Sequence, residues 1–184
     1  MTARLTVVSG PSGAGKGTVI RAVRRLRPDV WVSVSATTRA PRPGEVDGVS
    51  YHFLTPEAFA AAAARGEFLE HASYAGHSYG TPAAPVRERL AAGVGCLLEI
   101  DLQGARQVRS ALGAKALLVF LAPPSWQELE RRLTGRGTED PAAVARRLTR
   151  AREEMSAEDE FDATVVNDDV GAAAARLIAL LGAP

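Results

Sequence analysis

Apolar residues in this chain come in short bursts. Five runs, over residues 5–8, 30–34, 96–100, 116–121 and 163–166, are dominated by Val, Leu, Ile and Ala and are separated by helix-like segments. Each run is too short for a buried helix, so the pattern predicts strands joined by long crossovers. Such strands build a parallel sheet covered by helices on both faces, with ligands at the carboxyl ends of the strands. The expected fold class is therefore α/β.

Two stretches interrupt this rhythm. Residues 35–85 hold all three histidines, all three tyrosines and several prolines. Within them Tyr51-His52-Phe53-Leu54 and Phe68-Leu69-Glu70-His71 read as short strands, and Thr55-Pro56 caps a helix running to Arg65. The second interruption opens on Ser125-Trp126-Gln127-Glu128, a capping-box pattern that starts a helix through Leu129 and Leu133. Gly135-Arg136-Gly137 breaks that helix, and Asp140-Pro141 caps another with Val144, Leu148 and Met155 on its apolar face. The expected organisation is one domain in three parts. A core comprises 1–34, 86–124 and 156–184, an inserted α+β lobe 35–85, and a helical lid 125–155.

Composition narrows the function classes. With 46% apolar residues over 184 positions the chain can bury a sizeable core, and a net charge of +1 gives no reason to expect a nucleic-acid partner. The single cysteine, Cys96, lies in an apolar run and reads as a small core residue. No apolar run approaches the roughly 20 residues of a membrane span, so no membrane partner and a cytoplasmic location are expected.

Chemistry enters at Gly10-Pro11-Ser12-Gly13-Ala14-Gly15-Lys16-Gly17-Thr18, which follows the first strand and opens a helix. Strand, glycine loop and helix together let backbone N–H groups and the helix dipole converge on phosphate, with Lys16 reaching the outer phosphates of a nucleoside triphosphate. A glycine-rich turn without a ligand is the plainer alternative. The common form of this loop ends Gly-Lys-Ser/Thr, whereas this chain has Gly17 and carries its hydroxyl at Thr18. That leaves magnesium to the phosphates and to water.

Further strings recur in order along the chain: 35–45 (Ser-Ala-Thr-Thr-Arg-Ala-Pro-Arg-Pro-Gly-Glu), 47–53, Gly66-Glu67-Phe68-Leu69-Glu70, Tyr79-Gly80-Thr81, 99–104, 132–138 and Val166-Asn167-Asp168-Asp169. With the glycine loop they resemble the guanylate kinase family across nearly the whole length. The resemblance implies a P-loop NTPase-type core, a GMP-binding lobe matching 35–85 and an arginine lid. The activity it implies is in-line transfer of a phosphoryl group from ATP, with Mg2+, to GMP or dGMP.

By resemblance the catalytic residues are Lys16, Arg42, Arg136 and Arg147, and the ATP site is the loop from Gly10 to Thr18 with Arg132, Arg136 and Asn167. The GMP site is Ser35, Arg39, Arg42, Tyr51, Glu70, Tyr79, Thr81 and Asp101. Guanidinium forks at Arg39 and Arg42 suit the acceptor phosphate, and one carboxylate at Glu70 can accept both guanine N–H groups that adenine lacks. Glu99 and Asp101 are candidates for magnesium through water, with no direct protein ligand expected. Arg131, Arg150 and Arg152 fit an ordinary basic helix face better. Expected partners are small molecules only, in a monomer or small homo-oligomer. Two alternatives accompany this reading: a catalytically silent module of the same family that binds a phosphorylated peptide, and a kinase of the same fold for another small phosphate acceptor.

Overall fold

The computed structural model describes residues 4–134 and 141–181. Along the chain the elements are β1 (Leu5–Ser9), α1 (Lys16–Leu26), β2 (Trp31–Val32), β3 (Ala36–Thr37), β4 (His52–Phe53), α2 (Pro56–Ala64), β5 (Phe68–Tyr74), β6 (His77–Pro82) and α3 (Ala83–Ala91). They continue as β7 (Cys96–Glu99), α4 (Leu102–Leu112), β8 (Ala116–Ala122), α5 (Trp126–Thr134), α6 (Pro141–Met155), β9 (Ala163–Val166) and α7 (Val170–Leu181).

The five apolar runs form one parallel sheet in the order β2-β7-β1-β8-β9. Both faces are covered, and the pleat divides the side chains between them. Val8, Leu97, Leu117, Val119 and Leu121 pack with Val19 and Val23 of α1 and Leu177 of α7. Val7, Leu98 and Leu118 pack on the opposite face with Val86 of α3 and Val108 of α4. The inner strands β7, β1 and β8 are buried on two sides and carry no polar alternation, which is why their runs read as continuous hydrophobics.

A second, four-stranded sheet has the order β4-β3-β6-β5 and draws all its strands from residues 36–82. Two of its strands, β3 and β6, have no counterpart in the apolar pattern. His77–Pro82 contains a glycine and ends on a proline, and it is held as a strand by its antiparallel partner. The two-residue turn Ala75-Gly76, with both φ values positive, closes that hairpin between Tyr74 and His77. Thr55 accepts the Ala58 N–H at 3.2 Å to start α2, and Ser125 accepts the Glu128 N–H at 3.1 Å to start α5, as the capping patterns predict.

Helices α5 and α6 pack on one another through Leu129, Leu133 and Ala151, with Trp126, Leu148 and Met155 at the margin. The predicted Gly135-Arg136-Gly137 break and the Asp140 cap lie outside the described residues.

Candidate functional site

The carboxyl ends of β1 and β7 and the inner face of the second sheet enclose a cleft of about 570 Å³. Gly10, Ser12, Lys16 and Gly17 line one side, Ser35, Tyr51, Glu70 and Tyr79 the other, and Glu99 and Asp101 stand between them. Parallel pairing produces this meeting, because Val8 on β1 is in register with Glu99 on β7.

The loop after β1 holds its shape through tertiary contacts. Gly15 caps α1 in the left-handed region, φ 89°, where a Cβ would run into the Asn167 side-chain amide. Asn167 is buried, and its Nδ2 donates to the Ala14 carbonyl at 2.7 Å. Asn167, one of the residues expected at the ATP site, thus braces the loop from behind. Lys16 folds back over the loop, donating to the Gly10 carbonyl at 2.6 Å and the Pro11 carbonyl at 3.2 Å. Burial pushes its ammonium below the usual lysine range, and the nearby Glu99, Glu154 and Asp101 carboxylates oppose that shift. At Gly17 a Cβ would stand 3.6 Å from Glu99 Oε1 and 3.7 Å from Arg21 Nη1. Where the common loop carries a hydroxyl, this chain sets a carboxylate beside the helix start. The Thr18 hydroxyl accepts from Arg21 at 3.0 Å.

On the opposite side Glu70 is 4% exposed. The register of β5 against β6 shifts between Phe68 and Glu70, a bulge that seats Glu70 directly opposite Thr81. The Thr81 hydroxyl donates to Glu70 Oε1 at 2.6 Å. The other carboxylate oxygen rests against Gly104 on the first turn of α4, so close that a Cβ there would overlap it. Burial pushes this carboxyl up to about 7, helped by the Asp101 charge and opposed by the Thr81 hydroxyl. Asp101 caps α4, accepting the Gly104 N–H through Oδ1 at 2.9 Å, while its Oδ2 is buried with no hydrogen-bond partner among the described residues. Burial also raises the Glu99 carboxyl, with Lys16 and Arg21 opposing. The lobe and core are further joined where the Gln107 side chain on α4 takes both backbone groups of His71, donating to its carbonyl at 2.7 Å and accepting its N–H at 3.1 Å.

Arg39 is paired with Glu45 at 2.8 Å and lies over the Tyr51 ring, 5.4 Å from its centre, with Tyr79 edge-on to Tyr51. Arg42 is exposed, and its backbone N–H donates to the same Glu45 carboxylate at 2.7 Å. Glu45, to which the sequence reading attached no role, therefore folds the loop carrying both arginines. Arg132 reaches the phosphate loop at the Gly13 carbonyl, at 3.4 Å, while its Nε is held by Glu128 at 2.8 Å. Arg147 lies on α6 and donates to the Leu133 carbonyl at 3.4 Å. Arg136 lies outside the described residues. The structure thus gathers the loop, Ser35, Tyr51, Glu70, Tyr79, Glu99 and Asp101 around one cleft, backs Glu70 with Thr81, and leaves Arg42 outside it.

The structure also brings Tyr74, Arg150 and Glu154 to the cleft region. The i, i+4 spacing of Arg150 and Glu154 was visible in the sequence as a helix pair. Its orientation toward the loop was not. Among the described residues no group of three or more His, Cys, Asp and Glu side chains could hold a metal ion directly. Glu99 and Asp101 offer hard oxygen donors, one of them a buried oxygen that accepts no hydrogen bond among the described residues, which suits a magnesium ion that keeps most of its water. No described helix is long and apolar enough to cross a membrane.

Comparison with known proteins gives a consistent result. A family model described as guanylate kinase matches residues 2–183. The guanylate kinase of Frankia casuarinae is 67% identical over 177 residues, 96% of each chain, and that of Thermobifida fusca is 60% identical over 98% of this chain and 92% of its own. A crystal structure of guanylate kinase from Anaplasma phagocytophilum superimposes with a TM-score of 0.82 at 33% identity, covering 98% of this chain and 85% of the other.

Proposed function

The chain belongs to the guanylate kinase family and phosphorylates GMP with ATP, and we propose that it does so in the cleft between the phosphate loop and Glu70. The observation that carries this placement is the pairing of a caged Lys16 with a buried, base-reading carboxylate across one cavity. In the reaction an acceptor phosphate oxygen bonds to the γ-phosphorus of ATP as the β–γ bridging P–O bond breaks, and ADP leaves. The acceptor phosphate is already anionic, so no general base is required and catalysis is positioning plus charge neutralisation.

Each side chain then has a definable task. Lys16 leaves its two loop carbonyls for the donor phosphates, and the loop amides hold their oxygens. Arg39, steadied by Glu45 and the Tyr51 ring, meets the acceptor phosphate together with the Tyr51 and Tyr79 hydroxyls. Glu70 accepts the two guanine N–H groups while Thr81 fixes its other lone pairs, and Ser35 contributes a hydroxyl on the same side. Arg42 reaches the acceptor phosphate when the lobe carrying β3 to β6 closes, and Arg132, Arg136 and Arg147 surround the donor phosphates from the lid. Magnesium, entering with ATP, would be held through its waters by Glu99 and Asp101 and would neutralise phosphate charge. We place the reaction in the cytoplasm, with dGMP as a second acceptor.

The test is ADP release with MgATP and GMP, AMP, CMP, UMP or no acceptor, on the wild type and Lys16→Ala. Release with GMP alone, lost in the variant, is expected. Release that is faster with another monophosphate would refute the base-reading role of Glu70. The silent peptide-binding alternative is not favoured by relatives such as those of Frankia casuarinae and Thermobifida fusca, which are guanylate kinases.

A further inference from the structure

Helix α6 delivers to the cleft Arg150, which the sequence assigns to an ordinary basic helix face, and Glu154, to which it assigns no role. Glu154 is 7% exposed, and its Oε2 accepts the Ser12 backbone N–H of the phosphate loop at 3.1 Å. Its Oε1 accepts from Arg150 Nε, one turn earlier, at 3.2 Å. Arg150 also lies over the ring of Tyr74 on β5, with Cζ 4.2 Å from the ring centre, and sets Nη2 3.6 Å from Asp101 Oδ2. A chain of polar contacts therefore runs from the donor loop through one turn of the lid helix to Asp101 in the core and Tyr74 in the acceptor lobe.

A carboxylate seated on a loop built to hold phosphate is a competing anion. Ser12 N–H cannot serve Glu154 and a phosphate oxygen together, and two anions at that distance repel strongly where water is scarce. The Arg150 guanidinium, bonded to Glu154, offsets its charge there together with the nearby Lys16 ammonium. We propose that Arg150 and Glu154 are a positioning pair for the transfer: Glu154 holds the loop amide until the terminal phosphate of the donor takes it, and Arg150 passes that exchange to Asp101 and Tyr74. This rests on the reading of the cleft as the ATP and GMP site. Displacing Glu154 moves the lid helix with it, so donor occupancy and lid position become one event. Arg150 gives the acceptor side a share in that event, which is the form a coupling between two ligand sites takes.

The experiment is calorimetric titration of magnesium adenylyl imidodiphosphate into the wild type, Glu154→Gln, Arg150→Gln and the double variant, with GMP titrated separately in the presence and absence of the analogue. Glu154→Gln keeps the shape and removes the charge, so it binds the analogue roughly fivefold more tightly. Damage to a structural brace would weaken binding, so a tighter complex has no structural explanation. Arg150→Gln binds it more weakly, by a factor that shrinks in the Glu154→Gln background, and the effect of the analogue on GMP affinity falls toward none. Equal or weaker analogue binding by Glu154→Gln overturns the proposal, as does an unchanged effect on GMP affinity in Arg150→Gln. Should Glu154→Gln fail to fold, Glu154→Ala, which removes both the charge and the acceptor of the Ser12 N–H, must also bind the analogue more tightly than the wild type. GMP-dependent ADP release by the wild type is recorded alongside. Its absence would overturn the functional reading by itself, whereas activity without the opposed affinity shifts would overturn only the positioning pair.

Discussion

If GMP is read by Glu70, as proposed above, its binding is a proton-coupled event. In the free protein its carboxyl sits at about 7, raised chiefly by burial, but it can accept two guanine N–H groups only when ionised. GMP therefore selects the charged form and expels whatever proton is present. The apparent dissociation constant is close to its limit at pH 8, doubles near pH 7 and is roughly tenfold weaker at pH 6. The acceptor phosphate has a second ionisation near about 6 and adds no more than roughly a factor of two over the same interval.

Titration calorimetry in buffers of different ionisation enthalpy separates the contributions, because near pH 7 the protein releases about half a proton per GMP bound. Glu70→Gln abolishes that release. Its Nε2 also faces a guanine donor, so GMP affinity falls by about 10² or more. The same substitution acts on stability with a defined sign. A carboxyl raised above its ordinary 4.5 keeps the folded state protonated where the unfolded chain is not. Its stabilising contribution is thus complete below pH 4.5 and is lost as pH rises through about 7. Glu70→Gln should accordingly exceed the wild type in urea denaturation above pH 7, by at most about 3 kcal/mol, and match it in acid. GMP affinity that is flat from pH 8 to 6 apart from the phosphate contribution, with no proton released at pH 7, would refute the role given to Glu70.

Three further outcomes follow from the geometry. Lys16→Ala removes the one ammonium placed over the loop, and kcat falls by about 10³ or more in the coupled assay, with its melting temperature measured in parallel. Gly104→Ala drives a methyl into the Glu70 carboxylate; steady-state kinetics should show KM for GMP rising roughly 10- to 100-fold while KM for ATP holds. Gln107→Ala strips both partners from the His71 backbone; it should cost about 1 kcal/mol in urea denaturation and speed amide exchange along β5.

Much of this architecture could be read from residue order, for reasons that differ by region. Core strands buried on both faces must be continuous hydrophobics, so residues 116–121 declared β8 without reference to anything distant. The loop at Gly10 to Lys16 and the caps at Thr55 and Ser125 were equally plain, since local backbone chemistry demands those residue types. Strands β3 and β6 were illegible because their stability comes from partners across the sheet, and neither carries an apolar alternation of its own. Glu70, Tyr79 and Thr81 were identified through resemblance, and nothing local could disclose the bulge that turns Glu70 against Thr81. Arg150 and Glu154 escaped altogether. An i, i+4 ion pair has the same sequence signature whether it faces solvent or a phosphate loop, and only the packing of α6 decides between them.

The bond from Asn167 to Ala14 spans 153 positions of chain. A donor loop shaped by that bond cannot be assembled by its own neighbours during synthesis. The first strand and helix leave the ribosome long before β9 exists, and until β9 docks against β8 the Ala14 carbonyl has no Asn167 to hold it. Nucleotide capture is thereby expected to wait for the completed sheet, so that a nascent or truncated chain with an intact glycine motif would not sequester ATP.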